Sequence, residues 1–289
     1  MRKTSIYLAI FFSVACMSTS SIIIRYCTAP ALIISLYRVI FTMGIAGALG
    51  STAPSGIKEL SRRDFLYIIA SGVFLALHLG FWISSLSYTS ISSSVLFTNL
   101  QVIFVLILSA LLLKEKVNRW VTGGILTALL GSMLIVQGDL QSGKIMGDML
   151  ALLSGLFVAF YFLIGRRVRA RVDVWTYTSL AAGTAAVVLL VGCKAAGLSL
   201  TGYPRLDWIL FLVQAAGPGI VGHASMNWVL KYIKAPIVSV SILGESVGAS
   251  LLAFLIFHEA LAWYQIIGGL FILFGIYIAA TREKTTEMG

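Results

Sequence analysis

LLLKEKVNRWVTGGILTALLG, residues 111–131, and LIFHEALAWYQIIGGLFILFG, residues 255–275, carry the pattern that decides the fold. Each runs from an apolar stretch through a short polar connection into a second apolar stretch marked by glycines. Laid over one another at an offset of 144 residues, they match Glu115 to Glu259, Gly124 to Gly268 and Gly131 to Gly275, and Tyr88 falls on Tyr232. At an offset of 145, Ala70, Gly72 and His78 fall on Ala215, Gly217 and His223. Identity alone is near what two apolar sequences share by chance. Glycines and inter-helix glutamates at one register are the better sign of a duplicated unit.

Working outward, the rest of the chain is equally apolar. Hydrophobic residues make up 59% of its 289 residues and charged residues 11%, against roughly 25% charged in soluble domains. The mean hydropathy of +0.97 agrees. A helix needs about 20 apolar residues to cross the hydrocarbon core. Such runs fall at Ser5–Ile24, Ala31–Gly50, Phe65–Ser87, Ile91–Leu113, Arg119–Gln137, Gly147–Gly165, Val174–Cys193, Asp207–Leu230, Pro236–Phe257 and Leu261–Ala280. The reading is an all-α, polytopic membrane protein of ten transmembrane helices. The connections are too short for a soluble domain. Met1-Arg2-Lys3 before an apolar run resembles a signal peptide, but the run is long and reads as an uncleaved first helix.

The net charge of +10 comes from 21 basic and 11 acidic residues. These lie between apolar runs, so they read as topology signals and lipid-headgroup contacts rather than as a nucleic-acid surface. With the N-terminus inside, sixteen Lys and Arg fall in inner segments and four in outer ones. Both termini are then cytoplasmic in a bacterial-type inner membrane. Five spans per half is an odd number, so the first unit (1–140) and the second (141–289) insert in opposite directions. Such inverted repeats place a site near the midplane and permit alternating access.

The run SLSYTSISSSVLFTNLQVIFVLILSALLLKEKVNRWVTGGILTALLGSMLIV, residues 85–136, resembles the EamA-type repeat of the drug/metabolite transporter superfamily. An aromatic-Thr-small opening of the fourth helix, an acidic residue at its end and a glycine-rich fifth helix carry the likeness. Residues 228–279 look like the same unit again. The family's repeat often has a proline midway along the fourth helix, where this chain has Gln101. The resemblance implies a ten-helix carrier, with helices three, four, eight and nine around a central cavity and one and six beside it. Many relatives export amino acids or other metabolites.

Polar side chains inside a membrane are costly and mark function by default. Glu245, with Ser241 one turn before it, can bind an ammonium or carry a proton. Gln101 holds the matching place in the fourth helix, with Ser94 and Thr98 on its face and Asn99 beside it. His78 and Trp82 are one turn apart, as are His223 and Asn227. Tyr161 and Trp228 are candidate aromatic walls. Gly217-Pro218-Gly219 reads as a kink or hinge, because proline removes a backbone donor. Gly244 and Gly248 suit close helix approach. Arg38, about seven residues from the outer end of its helix, reads chiefly as snorkelling to headgroups.

These features favour a secondary carrier of small polar solutes, monomeric or weakly associated, among membrane lipids. A multidrug or organic-cation carrier of the same fold is the alternative. An intramembrane lipid-modifying enzyme is disfavoured. His258-Glu259 begins a zinc motif that Ala262 leaves unfinished, and no G-x-S-x-G elbow occurs. No Walker loop, cofactor, metal or catalytic set is implied, and three uneven cysteines make no disulfide framework.

Overall fold

The computed structural model describes residues 3–50, 60–115, 117–136, 145–257 and 261–282. Arg2, Lys58, Lys116, Lys144 and Lys284 of the charge pattern, and His258 and Glu259, lie outside them. The described residues are all-helical. Among the described residues nine helices are long and apolar enough to cross a membrane: α1 (Thr4–Arg25), α2 (Ala31–Gly50), α3 (Arg62–Ser85), α4 (Ser93–Leu113), α6 (Ile145–Val168), α7 (Val174–Ala195), α8 (Arg205–Val229), α9 (Ala235–Ile256) and α10 (Trp263–Arg282). Between α4 and α6 stands the shorter apolar α5 (Arg119–Val136). The molecule is a multi-pass membrane protein.

Local chemistry sets the helix starts. Ser61 and Ser90 accept from the backbone N–H groups of Asp64 and Ser93 at 3.0 and 3.1 Å. The Asp173 carboxylate accepts from Trp175 and Thr176. Pro236 opens α9, where its missing N–H costs nothing. Outward, Phe11, Leu111, Leu126, Ile145, Val187, Leu255 and Trp263 are among many large apolar side chains left exposed. In water such a surface would aggregate, whereas lipid tails accept it.

The halves interlock through pairs that the duplication relates. α5 packs on α10, and α2 on α7. α3 packs on α6, and its counterpart α8 packs on α1. α4 lies along α6, as α9 lies along α1. At the α5–α10 crossing, a Cβ on Gly124 would stand 2.6 Å from the Gly275 carbonyl, and one on Gly131 2.4 Å from the Gly268 carbonyl. One number rises as the other falls, so the two helices run antiparallel. The four glycines matched by sequence offset therefore meet one another and let two backbones touch. At one end of this pair Asn118 Nδ2 donates to the Arg282 carbonyl, and Tyr7 Oη donates to the Ala280 carbonyl.

Candidate functional site

Several helices lose regularity where they converge. Single turn residues interrupt α1 at Thr19, α4 at Leu100 and α9 at Leu243. In α8, Ala215–Ala224 is wound as a π-helix through Pro218. The kink expected at Gly217-Pro218-Gly219 is thus a spread-out widening, which absorbs the missing proline donor over ten residues. Gly219 permits it, because a Cβ there would lie 2.6 Å from Thr42 Oγ1 of α2. A Cβ on Gly217 would meet nothing within 4 Å.

These irregular turns enclose a cavity of about 40 Å³. α4 contributes Thr98, Asn99 and Gln101, α3 His78 and Trp82, α8 Pro218 and His223, and α9 Glu245. Met17 and Ser20 of α1, Arg38 of α2 and Val158 and Phe162 of α6 also line it, with Val95 of α4 and Ile242 of α9. The structure therefore brings together His78, Trp82, Asn99, Gln101, Pro218, His223 and Glu245. It keeps three expected residues out of this cavity. Tyr161 lines a side cavity of about 20 Å³ shared with Arg38 and His223. Asn227 donates to the Tyr161 hydroxyl at 2.5 Å. Trp228 packs edge-on against Tyr232 instead, with ring centroids 5.1 Å apart.

Arg38 corrects the sequence reading. It is 3% exposed and does not reach toward headgroups. Its helix turns it inward, where Nη1 donates to Ser20 Oγ at 3.2 Å. Distance from a helix end fixes depth but not rotation about the axis. Ser20 was also invisible as a site residue. The signal was the run Ser18-Thr19-Ser20-Ser21, four hydroxyls in an otherwise apolar span.

Two register-matched pairs line the cavity. The His78 and His223 rings stand 6.1 Å apart. His78 lies nearly parallel to Trp82, at 6.4 Å and 7°. The Ser154 hydroxyl donates to the His78 carbonyl at 3.1 Å, so Nδ1 of His78, 2.8 Å from that hydroxyl, is the donor in their second contact. Its Nε2 is left as an acceptor. Gln101 and Glu245 flank the interruptions of α4 and α9. Asn99 Nδ2 ties the same two helices by donating to Ser246 Oγ at 2.9 Å.

Several polar groups in this wall lack protein partners. Gln101 Oε1 and His223 Nδ1 are buried without a hydrogen bond. Among the described residues the ion pairs are Arg166–Glu115 and Arg171–Asp64, so neither Arg38 nor Glu245 belongs to one. A guanidinium and a carboxylate border one small cavity without touching. Gly244 and Gly248 bring α9 against α1, where a Cβ on Gly248 would sit 2.2 Å from Ser18 Oγ.

Charge ties helix ends together at one end of the bundle. Arg166 Nε donates to Glu115 Oε1 at 2.9 Å, and Nη1 to the Leu230 carbonyl at 2.7 Å. The ends of α4, α6 and α8 are thereby fastened together. Near them Arg169 donates to the carbonyls of Asn227 and Val172.

Comparison with known proteins agrees with this architecture. A family model described as "EamA-like transporter family" matches twice, over residues 4–137 and 145–281. A protein of Archaeoglobus fulgidus named "Uncharacterized transporter" is 27% identical over 282 residues, 94% of each chain. A Bacillus subtilis protein named "Uncharacterized transporter YxxF" is 29% identical over 137 residues, and the chain spans less than half of that relative's length, 44%. A solved crystal structure superposes with a TM-score of 0.79 at 18% identity, covering 98% of this chain and 100% of that one. That last likeness concerns the fold alone.

Proposed function

We propose that this chain, which belongs to the EamA-like transporter family, is a secondary carrier that exports amino acids or similarly small polar metabolites. It works by alternating access around the cavity between the halves, in a bacterial-type inner membrane with both termini cytoplasmic. One observation carries the reading: Gln101 Oε1 and His223 Nδ1 are buried in the cavity wall with no protein partner. An unsatisfied buried polar atom costs about 1–3 kcal/mol. Of the eight such atoms among the described residues these two line the cavity, where a polar guest completes their bonds. A cavity of about 40 Å³ holds a few waters but no amino acid, so the solute is admitted when the helices part. The charged clamp at Arg166 ties helix ends at one end of the bundle, and we take that end as the closed side of this conformation.

An organic-cation carrier is the second reading, favoured by Glu245 and Trp82 and opposed by Arg38, whose charge faces the same space. Counterflow of labelled solutes in proteoliposomes, with and without a pH gradient, tests the choice. Saturable counterflow of an amino acid supports the carrier, and Glu245→Gln is expected to cut it at least tenfold at normal expression. Absence of counterflow for every amino acid, metabolite and organic cation tried would remove the carrier reading.

A further inference from the structure

We infer that Arg38 is the anion seat of the cavity and that the solute it takes bears a carboxylate. The inference deepens the carrier reading and rests on it for the meaning of the cavity, but it stands on its own geometry. Arg38 is almost wholly buried. A guanidinium carries five N–H donors in one plane, and here the described protein partner is a single hydroxyl, Ser20 Oγ. That hydroxyl is itself held, because it donates to Gln214 Oε1 at 2.9 Å while Gln214 Nε2 donates back to the Ser20 carbonyl at 2.7 Å. Gln214 is fully buried. Ser20 and Gln214 are positioning residues: they fix one corner of the guanidinium and leave the rest of its fork to the cavity.

The charged and titratable groups lining that space are Arg38 from α2, His78 from α3, His223 from α8 and Glu245 from α9; α1, α4 and α6 present neutral side chains. Among the described residues Arg38 therefore has no protein anion in contact with it, and the one acid of the wall stands more than 4 Å away. Buried charges are kept when they are paired, and a planar fork pairs best with a carboxylate, through two parallel hydrogen bonds. The duplication reinforces the point. An offset of 144 puts Ala182 where Arg38 would recur, so the cavity has one cationic wall only. A zwitterion laid from Arg38 to Glu245 would satisfy both ends.

The test uses purified full-length protein and a panel of standard L-amino acids, each beside its own α-carboxamide. Thermal stabilisation in detergent reads binding, and counterflow in proteoliposomes reads transport. Acids that stabilise the wild type are expected to lose at least tenfold in half-saturating concentration as carboxamides. Arg38→Gln is expected to abolish the stabilisation, Arg38→Lys to keep part of it, and Ser20→Ala to raise half-saturation several-fold at unchanged maximal flux. Carboxamides that act as well as their parent acids overturn the anion seat, and this arm needs no variant to fold. A folded Arg38→Gln that binds the acids with wild-type strength overturns it too, as does a wild type that no acid stabilises. Stabilisation by acids without any counterflow would sustain the seat and sink the carrier.

Discussion

At the scale of single residues, what the sequence reveals is chemical identity and depth, and what it hides is rotation. His78, Gln101, His223 and Glu245 stand out in apolar runs because each is costly there. Arg38 stands out as clearly, yet its distance from the helix end suggests a headgroup contact, while its azimuth turns it 3% exposed into the bundle. Asn227 and Trp228 miss the cavity for the same reason, since both follow the widened turns Ala215–Ala224 of α8, past which regular helical spacing no longer gives the facing. Cys27 offers a check on the opposite rim. It lies between α1 and α2, where burial, with the Asp207 carboxylate nearby, pushes its thiol up to about 12. The thiolate is the reactive form, so a raised value means little of it until the pH approaches 12. Maleimide labelling of Cys27 at pH 7 is expected to be slow in native protein and fast after SDS. Mass spectrometry of the tryptic peptide reads the difference, and rapid native labelling would contradict the burial.

At the scale of helices, two devices hold the scaffold. The first is the glycine crossing of α5 and α10. Adding a methyl at Gly131 places it 2.4 Å from a backbone carbonyl, which cannot swing aside. Overpacking of this kind costs about 1–3 kcal/mol. Gly131→Ala is expected to lower the Tm in detergent, whereas Gly123→Ala, whose methyl meets nothing within 4 Å, leaves it unchanged or higher. Equal melting of the two variants would mean that the crossing is looser than described. The second is the Arg166 clamp on Glu115 and the Leu230 carbonyl. Both side chains are mostly buried, at 13% and 12% exposure. Arg166→Ala strands Glu115 and frees the carbonyl end of α8, a loss of about 2 kcal/mol. Thermal denaturation is the measurement, and Arg166→Lys is expected to restore only part, because a point charge cannot serve two acceptors in a fork.

At the scale of the molecule, near-symmetry builds the cavity and departures from it give the cavity a direction. The duplicated register brings His78 to His223 and puts Gln101 and Glu245 in the wall of one cavity, so the framework of the site is readable from the offset alone. The charges are not duplicated: glutamine replaces the acid in one half, and alanine replaces the arginine in the other. One half thus presents a cationic wall and the other an anionic one, which repeat matching alone does not rank, because matching rewards sameness. Orientation is the remaining global property, and the proposed one, with both termini cytoplasmic, rests on the excess of Lys and Arg in alternate connections. α7 gives a direct reading of it, with exposed Ala170 before its start and exposed Ala196 beyond its end. In a background with Cys16, Cys27 and Cys193 replaced by serine, a membrane-impermeant maleimide is expected to label Ala196→Cys in intact cells. Ala170→Cys should label only after permeabilisation. The reverse pattern would turn the bundle over, put the Arg166 clamp on the outer face, and make this conformation closed to the outside instead.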